Sequence, residues 1–243
     1  MKTHTRFGRM LCVLCLVFSW LSLTCAADSD KVVYFDQPES AQLFDEAGVK
    51  GQFWTLVRYF ISEKIDTFCG VASSIMVLNA LEVPSPIAKF TYPYNKFDED
   101  NYFTPAALEV QPVHSIAGNG QTLEQLASML RTFGLNVGVH HANTLSLEQF
   151  RTLAVDTLET KDRYIVVNFS RVKLAQEGGG HFSPLAAYDR KSDRFLLMDV
   201  ARYKYPPAWV QAEDLWNAMN TDDTDAKAKR GFALIGRTKQ LKP

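Results

Sequence analysis

A cysteine, a histidine and an aspartate follow one another along this sequence in positions that could assemble a nucleophilic site. Cys69 directly precedes a mostly apolar stretch, residues 70–81, that is predicted to form a buried helix. A thiol at the first turn of a helix lies near unpaired backbone N–H groups and the positive end of the helix dipole, which favours the thiolate. A cysteine nucleophile also needs a base and an acceptor that orients the base.

His181 and Asp199 are the best candidates for that base and that acceptor. His181 follows three glycines, which allow the backbone to approach a ligand closely, and it enters a predicted strand. Asp199 closes the next predicted strand after a tight hairpin, so the two side chains can become neighbours. Spacing alone leaves an alternative open, in which Cys69 is a small buried hydrophobe, His181 a loop residue and Asp199 a turn former.

The elements that must position these residues describe an α+β domain. Helical patterns cover residues 51–62, 70–81, 122–134 and 147–158, and strand patterns cover residues 163–170, 183–188, 194–200 and 231–237. Helices in the first half and strands in the second argue against a parallel doubly wound sheet. No linker or repeat interrupts the chain, so residues 27–243 are predicted to form a single domain.

The first 26 residues have the pattern of an export signal. Three basic residues precede an unbroken apolar stretch from Met10 to Leu23, and small residues follow it. Fourteen residues would reach only about 21 Å as a helix, short of the ~30 Å hydrocarbon core. The sequence therefore predicts a signal peptide over residues 1–26, cleaved near Ala26 or Ala27, and a periplasmic protein without a membrane segment after cleavage. An uncleaved N-terminal anchor is the alternative.

Cleavage would also change the cysteine count. The chain has four cysteines, and three of them lie in the first 25 residues. Exported proteins usually use cysteines in pairs, as disulfides, but Cys69 would remain alone. A lone thiol cannot form an internal bridge, so a function other than stability is the better explanation for it.

Composition excludes several other classes of protein. With 47% apolar residues, and 26 basic residues against 27 acidic ones, the chain is a folded globular protein and a poor candidate for nucleic-acid binding. No group of cysteines and histidines has the spacing of a structural metal site. The pair His140 and His141 has no third ligand nearby in sequence and is predicted to lie in a loop.

Three segments resemble the phytochelatin synthase family, which comprises papain-like enzymes acting on glutathione. They are Phe68–Leu81 (FCGVASSIMVLNAL), Gly179–Pro184 (GGHFSP) and Asp199–Val210 (DVARYKYPPAWV). The absence of a cysteine-rich C-terminal extension makes the chain similar to the short bacterial form. The resemblance implies a papain-like α+β fold and suggests a homodimer.

The resemblance also implies a reaction. Cys69 matches the nucleophile, His181 the base and Asp199 the orienting carboxylate. Such enzymes attack the amide before the terminal glycine of glutathione, release glycine and hold γ-glutamylcysteine as a thioester. Water then gives γ-glutamylcysteine, and a second glutathione gives a phytochelatin. Cadmium or zinc would enter as a metal–glutathione thiolate, carried by the substrate and not by a protein site.

Four further positions match the γ-glutamyl pocket of the family: Asn168, Gly180, Asp223 and Arg230. A γ-glutamyl head group carries one ammonium and one carboxylate, which an acid and an arginine fork would recognise. For Asp223 and Arg230 the alternative is a solvated surface pair in a charged loop.

Glu63 departs from the family pattern. Papain-like sites have a glutamine six residues before the cysteine, and its amide donates to the developing oxyanion. An ionised Glu63 donates nothing, and losing one such donor costs about 2.7–4 kcal/mol. Either Glu63 is protonated, or its loop is displaced, or Lys64 substitutes, or the backbone N–H of Cys69 acts alone.

Three functions remain open from the sequence. The leading interpretation is a glutathione γ-glutamylcysteinyltransferase or glutathione-deglycinating hydrolase, acting on glutathione or another γ-glutamyl thiol. The second is a papain-like peptidase of other specificity. The third is a catalytically impaired protein that binds glutathione or metal thiolates, in which Glu63 marks the loss of catalysis.

Overall fold

The fold is built around one antiparallel sheet with helices on both faces. It was analysed in a computed structural model, which describes residues 32–237. Seven strands form the sheet in the order β1-β6-β5-β4-β3-β9-β2, and two short strands, β7 and β8, pair separately. The strands are β1 (Val32–Tyr34), β2 (Leu135–His141), β3 (Arg163–Ser170), β4 (Gly180–Asp189), β5 (Arg194–Leu197), β6 (Ala208–Gln211), β7 (Asp222–Asp223), β8 (Ala228–Lys229) and β9 (Gly231–Arg237).

Most of the helices precede the central strands along the chain. They are α1 (Pro38–Glu46), α2 (Phe53–Arg58), α3 (Cys69–Ala80), α4 (Pro105–Val110), α5 (Val113–Asn119), α6 (Leu123–Thr132), α7 (Leu147–Glu159) and α8 (Ala212–Met219). Both α6 and α7 begin with a capping box, in which a hydroxyl side chain and a glutamine three residues later satisfy each other's free backbone N–H groups.

Each face of the sheet buries its own hydrophobic core. One core includes residues of α3 and α6, and the other includes residues of α7 and α8. All twelve residues of α3 are buried, which explains why its sequence is apolar on every side and shows no polar stripe. This helix therefore has a fixed position against the sheet, and Cys69 is its first residue.

The α+β prediction is confirmed, with differences in detail. The helices predicted over residues 70–81, 122–134 and 147–158 are present within one or two residues, whereas the pattern over residues 51–62 yields only the short helix α2. The prediction of a loop at His140 and His141 is wrong, because both residues lie in β2 and pair with β9. His140 stacks on Phe232, so its ring serves packing.

The predictions for the N-terminus fall outside the described residues. These are the signal peptide over residues 1–26, its cleavage near Ala26 or Ala27, and the domain start at residue 27. Within residues 32–237, no helix combines the length and the hydropathy needed to cross a bilayer.

Candidate active site

The N-terminus of α3 presents Cys69 to the sheet. The backbone N–H groups of Phe182 and Gly70 point to its sulfur, and the Ser73 hydroxyl donates to the Phe182 carbonyl over 3.2 Å. These contacts fix the start of α3 against β4. Cys69 is only 6% exposed, so little of the residue is open to solvent.

His181 lies on β4 beside this thiol. An imidazole nitrogen of His181 and the Cys69 sulfur lie within 4.8 Å of each other. The other side of the ring is engaged, because Nε2 of His181 lies 2.9 Å from Oδ1 of Asp199. Nδ1 is therefore the nitrogen left to take the proton of the thiol. The structure thus brings together the three residues predicted for catalysis.

Asp199 lies two residues beyond the end of β5. The hydrogen bond from the Met198 N–H to the Pro184 carbonyl keeps this segment beside β4, and the Ala201 N–H donates to Oδ1 of Asp199 over 2.9 Å. The carboxylate is 1% exposed. An aspartate buried to this extent requires compensation of its charge.

Arg171 contributes to that compensation together with His181, and sequence reasoning missed it. Its Nη1 and Nη2 donate to the two oxygens of Asp199 over 2.8 and 2.9 Å, a bidentate pair in which both side chains are buried. The guanidinium also donates to Gln176 and lies over the Tyr205 ring. Arg171 is a positioning residue, because it holds the carboxylate that orients the base.

These contacts set the charges of the base and its acceptor. Burial alone would raise the pKa of Asp199, but His181 and Arg171 outweigh burial and hold that pKa well below its usual range. Burial lowers the pKa of His181 despite the opposing attraction of Asp199. At neutral pH the resting pair is therefore an ionised Asp199 and a neutral imidazole.

The expectation that the helix N-terminus would favour a Cys69 thiolate is wrong, because the pKa of the thiol is raised. Burial, reinforced by the nearby Glu63 carboxyl, raises the pKa of the Cys69 thiol to about 12. The backbone N–H groups act in the opposite direction but are outweighed. A neutral thiol beside a neutral imidazole means that His181 must take the proton during attack.

Glu63 lies at the same site. One of its carboxylate oxygens is within 4.8 Å of both the Cys69 sulfur and a nitrogen of His181. Oε1 accepts a hydrogen bond of 2.8 Å from the hydroxyl of Tyr203, which also contacts Asp66, whereas Oε2 is buried without a hydrogen-bond partner. Burial raises the pKa of the Glu63 carboxyl to about 7.

Two of the four explanations for Glu63 do not fit this geometry. Its loop is not displaced, because the Glu63 N–H donates to the Val200 carbonyl and the carboxyl group faces the thiol. Lys64 does not substitute, because its ammonium binds Asp100 over 2.9 Å and is 57% exposed. A protonated Glu63 and the Cys69 backbone N–H remain as donors.

Three of the four residues predicted for substrate binding lie close together beyond His181. Asn168 on β3 pairs with Phe182 on β4 and with Gly231 on β9. A Cβ atom added at Gly180 would lie 2.9 Å from Nη2 of Arg230, so the guanidinium occupies the space that glycine leaves free. Oδ1 of Asn168 and Nε of Arg230 are both buried without a hydrogen-bond partner.

Asp223 is placed differently. It lies in the hairpin of β7 and β8, close to Arg230 along the chain, but its Oδ1 accepts the N–H groups of Asp225 and Ala226 over 3.2 and 3.3 Å. Within residues 32–237, Arg230 forms no salt bridge with a carboxylate; its Nη1 donates to the Thr221 hydroxyl and the Asp222 carbonyl instead. The surface pair of Asp223 with Arg230, which was the alternative to a binding role, is therefore not formed, and Asp223 stabilises its own turn.

Comparison with known proteins decides the family. The family model described as "Phytochelatin synthase" matches residues 26–232. The chain belongs to the phytochelatin synthase family. It is 34% identical over 216 residues to glutathione gamma-glutamylcysteinyltransferase 3 of Lotus japonicus, covering 87% of this chain and 44% of that protein.

Other relatives give the same result. The chain is 34% identical to glutathione gamma-glutamylcysteinyltransferase 2 of Arabidopsis thaliana, over 90% of this chain and 48% of the relative. It is 25% identical to the Schizosaccharomyces pombe enzyme of that name, over 83% and 48%. The chain thus spans less than half the length of these three relatives.

Two solved structures are similar at low sequence identity. A double glycine motif protease from an AMS/PCAT transporter is 14% identical, with a TM-score of 0.39 over 73% of this chain and 90% of that one. A fragment of prointerpain A from Prevotella intermedia is 13% identical, with a TM-score of 0.41 over 82% and 75%.

One signal in the sequence of this member of the phytochelatin synthase family could have pointed to Arg171. A buried aspartate beside a neutral imidazole leaves a net negative charge, and that charge demands a cation. The need for a cation could be inferred from the sequence, but its identity could not, because Arg171 precedes Asp199 by 28 positions.

Proposed function

We propose that this protein is a cysteine-dependent glutathione γ-glutamylcysteinyltransferase that also hydrolyses glutathione to γ-glutamylcysteine. The observation that supports this most strongly is the arrangement of Cys69 beside a His181 ring whose far nitrogen is bound to a buried, arginine-paired Asp199. This is the arrangement of nucleophile, base and orienting acceptor that acyl transfer requires. The names of the relatives point to glutathione as the substrate.

The reaction follows from the charges at rest. The Cys69 sulfur attacks the carbonyl carbon of the cysteinyl–glycine amide while Nδ1 of His181 takes the thiol proton. Asp199 stabilises the imidazolium that forms, and His181 then gives the proton to the amide nitrogen as that C–N bond breaks. Glycine leaves, and γ-glutamylcysteine remains bound to Cys69 as a thioester. Water or the amino group of a second glutathione then takes the acyl group.

Unpartnered polar atoms support recognition of the γ-glutamyl head group. Nε of Arg230 and Oδ1 of Asn168 are buried without partners, on strands that flank His181 or directly beside them. A guanidinium suits the substrate carboxylate and an amide oxygen suits its ammonium. Gly180 allows this arginine to lie against β4.

The substrate is tested with two isomeric tripeptides. Glutathione and its α-linked isomer, Glu-Cys-Gly with an ordinary peptide bond, have the same composition and the same scissile amide. We expect glycine release from glutathione and little from the isomer. Mass spectrometry of the thiol products then distinguishes hydrolysis from transpeptidation. Equal release from both peptides would favour a papain-like peptidase of other specificity.

Replacing Arg230 by lysine should weaken substrate binding. Lysine keeps the charge but loses the planar fork that binds a carboxylate with two hydrogen bonds. A lost charge-assisted hydrogen bond is worth about 1.5–3 kcal/mol, so KM for glutathione should rise roughly 10- to 100-fold. Steady-state kinetics should show a much smaller change in kcat, because Arg230 is not placed at the reacting atoms.

A matched control is Arg190→Lys. Arg190 is exposed and pairs with Glu159 on the surface, so the same chemical change there should leave KM unaltered. An unchanged KM in Arg230→Lys would contradict the assignment of Arg230 to the head group.

Replacing Glu63 by glutamine should accelerate acylation. The glutamine amide always carries N–H donors, whereas a carboxyl group donates only when protonated. A missing oxyanion donor costs about 10²–10³ in rate. A carboxyl with a pKa of about 7 is roughly nine-tenths ionised at pH 8, so the substitution should raise the single-turnover rate at pH 8 by about tenfold. Rapid-quench measurement of the first glycine released tests this in metal-free protein.

Glu99→Gln is the control for that substitution. Glu99 is also a buried glutamate with one oxygen that has no hydrogen-bond partner, but it contacts the backbone N–H and the ammonium of Lys64 and does not belong to the cluster at the thiol. A rate that stays constant or falls in Glu63→Gln, with the Glu99 variant unchanged, would show that the carboxyl group already serves the oxyanion.

Glu63 also favours a second candidate function, a catalytically impaired protein that holds glutathione. A carboxyl group at the donor position and a thiol with a pKa of about 12 both oppose turnover. This candidate predicts glutathione binding that survives Cys69→Ala, with no release of glycine. Any catalytic glycine release excludes it.

Export is a further part of the proposal and rests on the N-terminal sequence. A basic segment, a short apolar segment and small residues before Asp28 support cleavage near Ala26 or Ala27. N-terminal sequencing of the protein recovered from the periplasm should begin at Ala27 or Asp28. Recovery of the intact N-terminus in the membrane fraction would favour the uncleaved anchor.

A further inference from the structure

The catalytic cluster is also a set of metal ligands. A carboxylate oxygen of Glu63, the sulfur of Cys69 and an imidazole nitrogen of His181 lie within 4.8 Å of one another, and all three residues are buried. We propose that Glu63, Cys69 and His181 bind a Zn²⁺ ion, and that the bound ion blocks the catalytic thiol. The blocking part of this inference rests on the proposed function, whereas the binding part does not.

The donor set suits zinc. Zinc sites in proteins use cysteine sulfur, histidine nitrogen and carboxylate oxygen, and three protein ligands leave a fourth position for water or another thiol. A thiolate and a carboxylate together neutralise the charge of the dication. Softer divalent ions such as cadmium would use the same sulfur.

The geometry requires a small contraction. With metal–ligand distances of about 2.0–2.3 Å, the ligand atoms of a tetrahedral zinc site lie roughly 3.3–3.8 Å apart. Because the ligand atoms lie within 4.8 Å of one another, the largest contraction needed is about 1–1.5 Å. Glu63 can move in this way, because its Oε2 has no hydrogen-bond partner while Tyr203 holds Oε1.

The second layer of contacts is already that of a metal site. A histidine that binds zinc usually donates its other ring N–H to a carboxylate, which fixes the tautomer and the ring orientation. Nε2 of His181 lies 2.9 Å from Asp199, so Nδ1 is the nitrogen available to the ion. Arg171 in turn holds Asp199 with two hydrogen bonds.

Glu63 decides the affinity of this site. The glutamine expected at this position from the family resemblance would offer only a neutral amide oxygen, whereas Glu63 offers an anionic ligand. The presence of glutamate in place of glutamine at position 63 thus removes an oxyanion donor and adds a metal ligand. This inference departs from the expectation that metal would enter only with the substrate.

Binding is tested in the full chain with Cys12, Cys15 and Cys25 replaced by serine, which leaves Cys69 as its one cysteine. Zn²⁺ is titrated in competition with a chromophoric chelator, and Co²⁺ serves as the optical probe. We expect one Zn²⁺ per chain and a thiolate-to-cobalt charge-transfer band that disappears in Cys69→Ala. Since losing even an outer contact of a metal site costs about 10–100-fold in affinity, Glu63→Gln should weaken Zn²⁺ binding at least about tenfold.

The matched control is again Glu99→Gln, which should bind Zn²⁺ like the parent chain. Circular dichroism and thermal melting establish that each variant is folded. Absence of stoichiometric Zn²⁺ binding, or equal affinity in Glu63→Gln and in the parent, would overturn the proposal.

The blocking effect is measured separately from binding. Zn²⁺ should stop glycine release from glutathione by the metal-free chain, a chelator should restore it, and Glu63→Gln should need at least about tenfold more Zn²⁺ for the same inhibition. Turnover that persists with Zn²⁺ bound would overturn the blocking role. A metal-free chain that binds Zn²⁺ but never releases glycine would contradict the proposed function and leave the binding site standing.

Discussion

Replacing Cys69 by alanine should abolish glycine release from glutathione. The substitution removes the sulfur that attacks the amide carbon and carries the acyl group in the proposed reaction. Removing a nucleophile of this kind costs about 10⁶ in kcat, which places the residual rate below detection. Free glycine is quantified over time in the parent chain and the variant.

The other cysteines provide the control. Replacing Cys12, Cys15 and Cys25 together by serine should leave the rate unchanged, because the proposed reaction uses Cys69 alone. Cys69→Ala should also keep the melting behaviour of the parent within a small margin, since alanine fits the first turn of α3. Glycine release that persists in Cys69→Ala would show that Cys69 is not the nucleophile.

Replacing Arg171 by methionine should both destabilise the fold and slow turnover. The variant leaves Asp199 buried without its bidentate partner, and breaking a buried ion pair from one side costs about 3–5 kcal/mol. The freed carboxylate no longer holds the imidazole in one orientation, so kcat should fall while KM for glutathione changes little. Chemical denaturation and steady-state kinetics measure the two effects.

Two variants separate positioning from general stability. Arg151 also forms a two-point pair with an aspartate, Asp193, but that pair is partly exposed and lies away from the thiol. Arg151→Met should therefore cost less stability and leave kcat intact. Arg171→Lys should restore part of the stability and of kcat, because it returns the charge without the fork. A kcat in Arg171→Met equal to that of the parent, in chain that remains folded, would contradict the positioning role.

Local signals predicted about half of the helices and strands that residues 32–237 form, among them α3, α6 and α7. Helices α6 and α7 begin where a hydroxyl residue and a glutamine form a capping box, and α3 follows from an apolar stretch ended by prolines. The strand at residues 135–141 was missed, although Leu135, Val137 and Val139 alternate with polar or small residues. Its position is determined by pairing with β9, a contact between residues nearly 100 positions apart that no local pattern contains.

The catalytic residues of the candidate site could be predicted from the sequence, but their protonation states could not. Residue type and spacing selected Cys69, His181 and Asp199, and the fold brings them together. The helix dipole suggested a thiolate, but burial and the Glu63 carboxyl outweigh it, and burial depends on the whole fold. Arg171 was not predicted for the same reason, because its contact with Asp199 is a tertiary one.

The central claim is tested most directly by trapping the acyl-enzyme. The full chain is mixed with glutathione in metal-free buffer, quenched in acid at short times and digested for peptide mass mapping. The account predicts a γ-glutamylcysteinyl group bound as a thioester to the peptide that contains Cys69, appearing together with one equivalent of glycine. Glycine release without any adduct on Cys69, or an adduct on another residue, would contradict it.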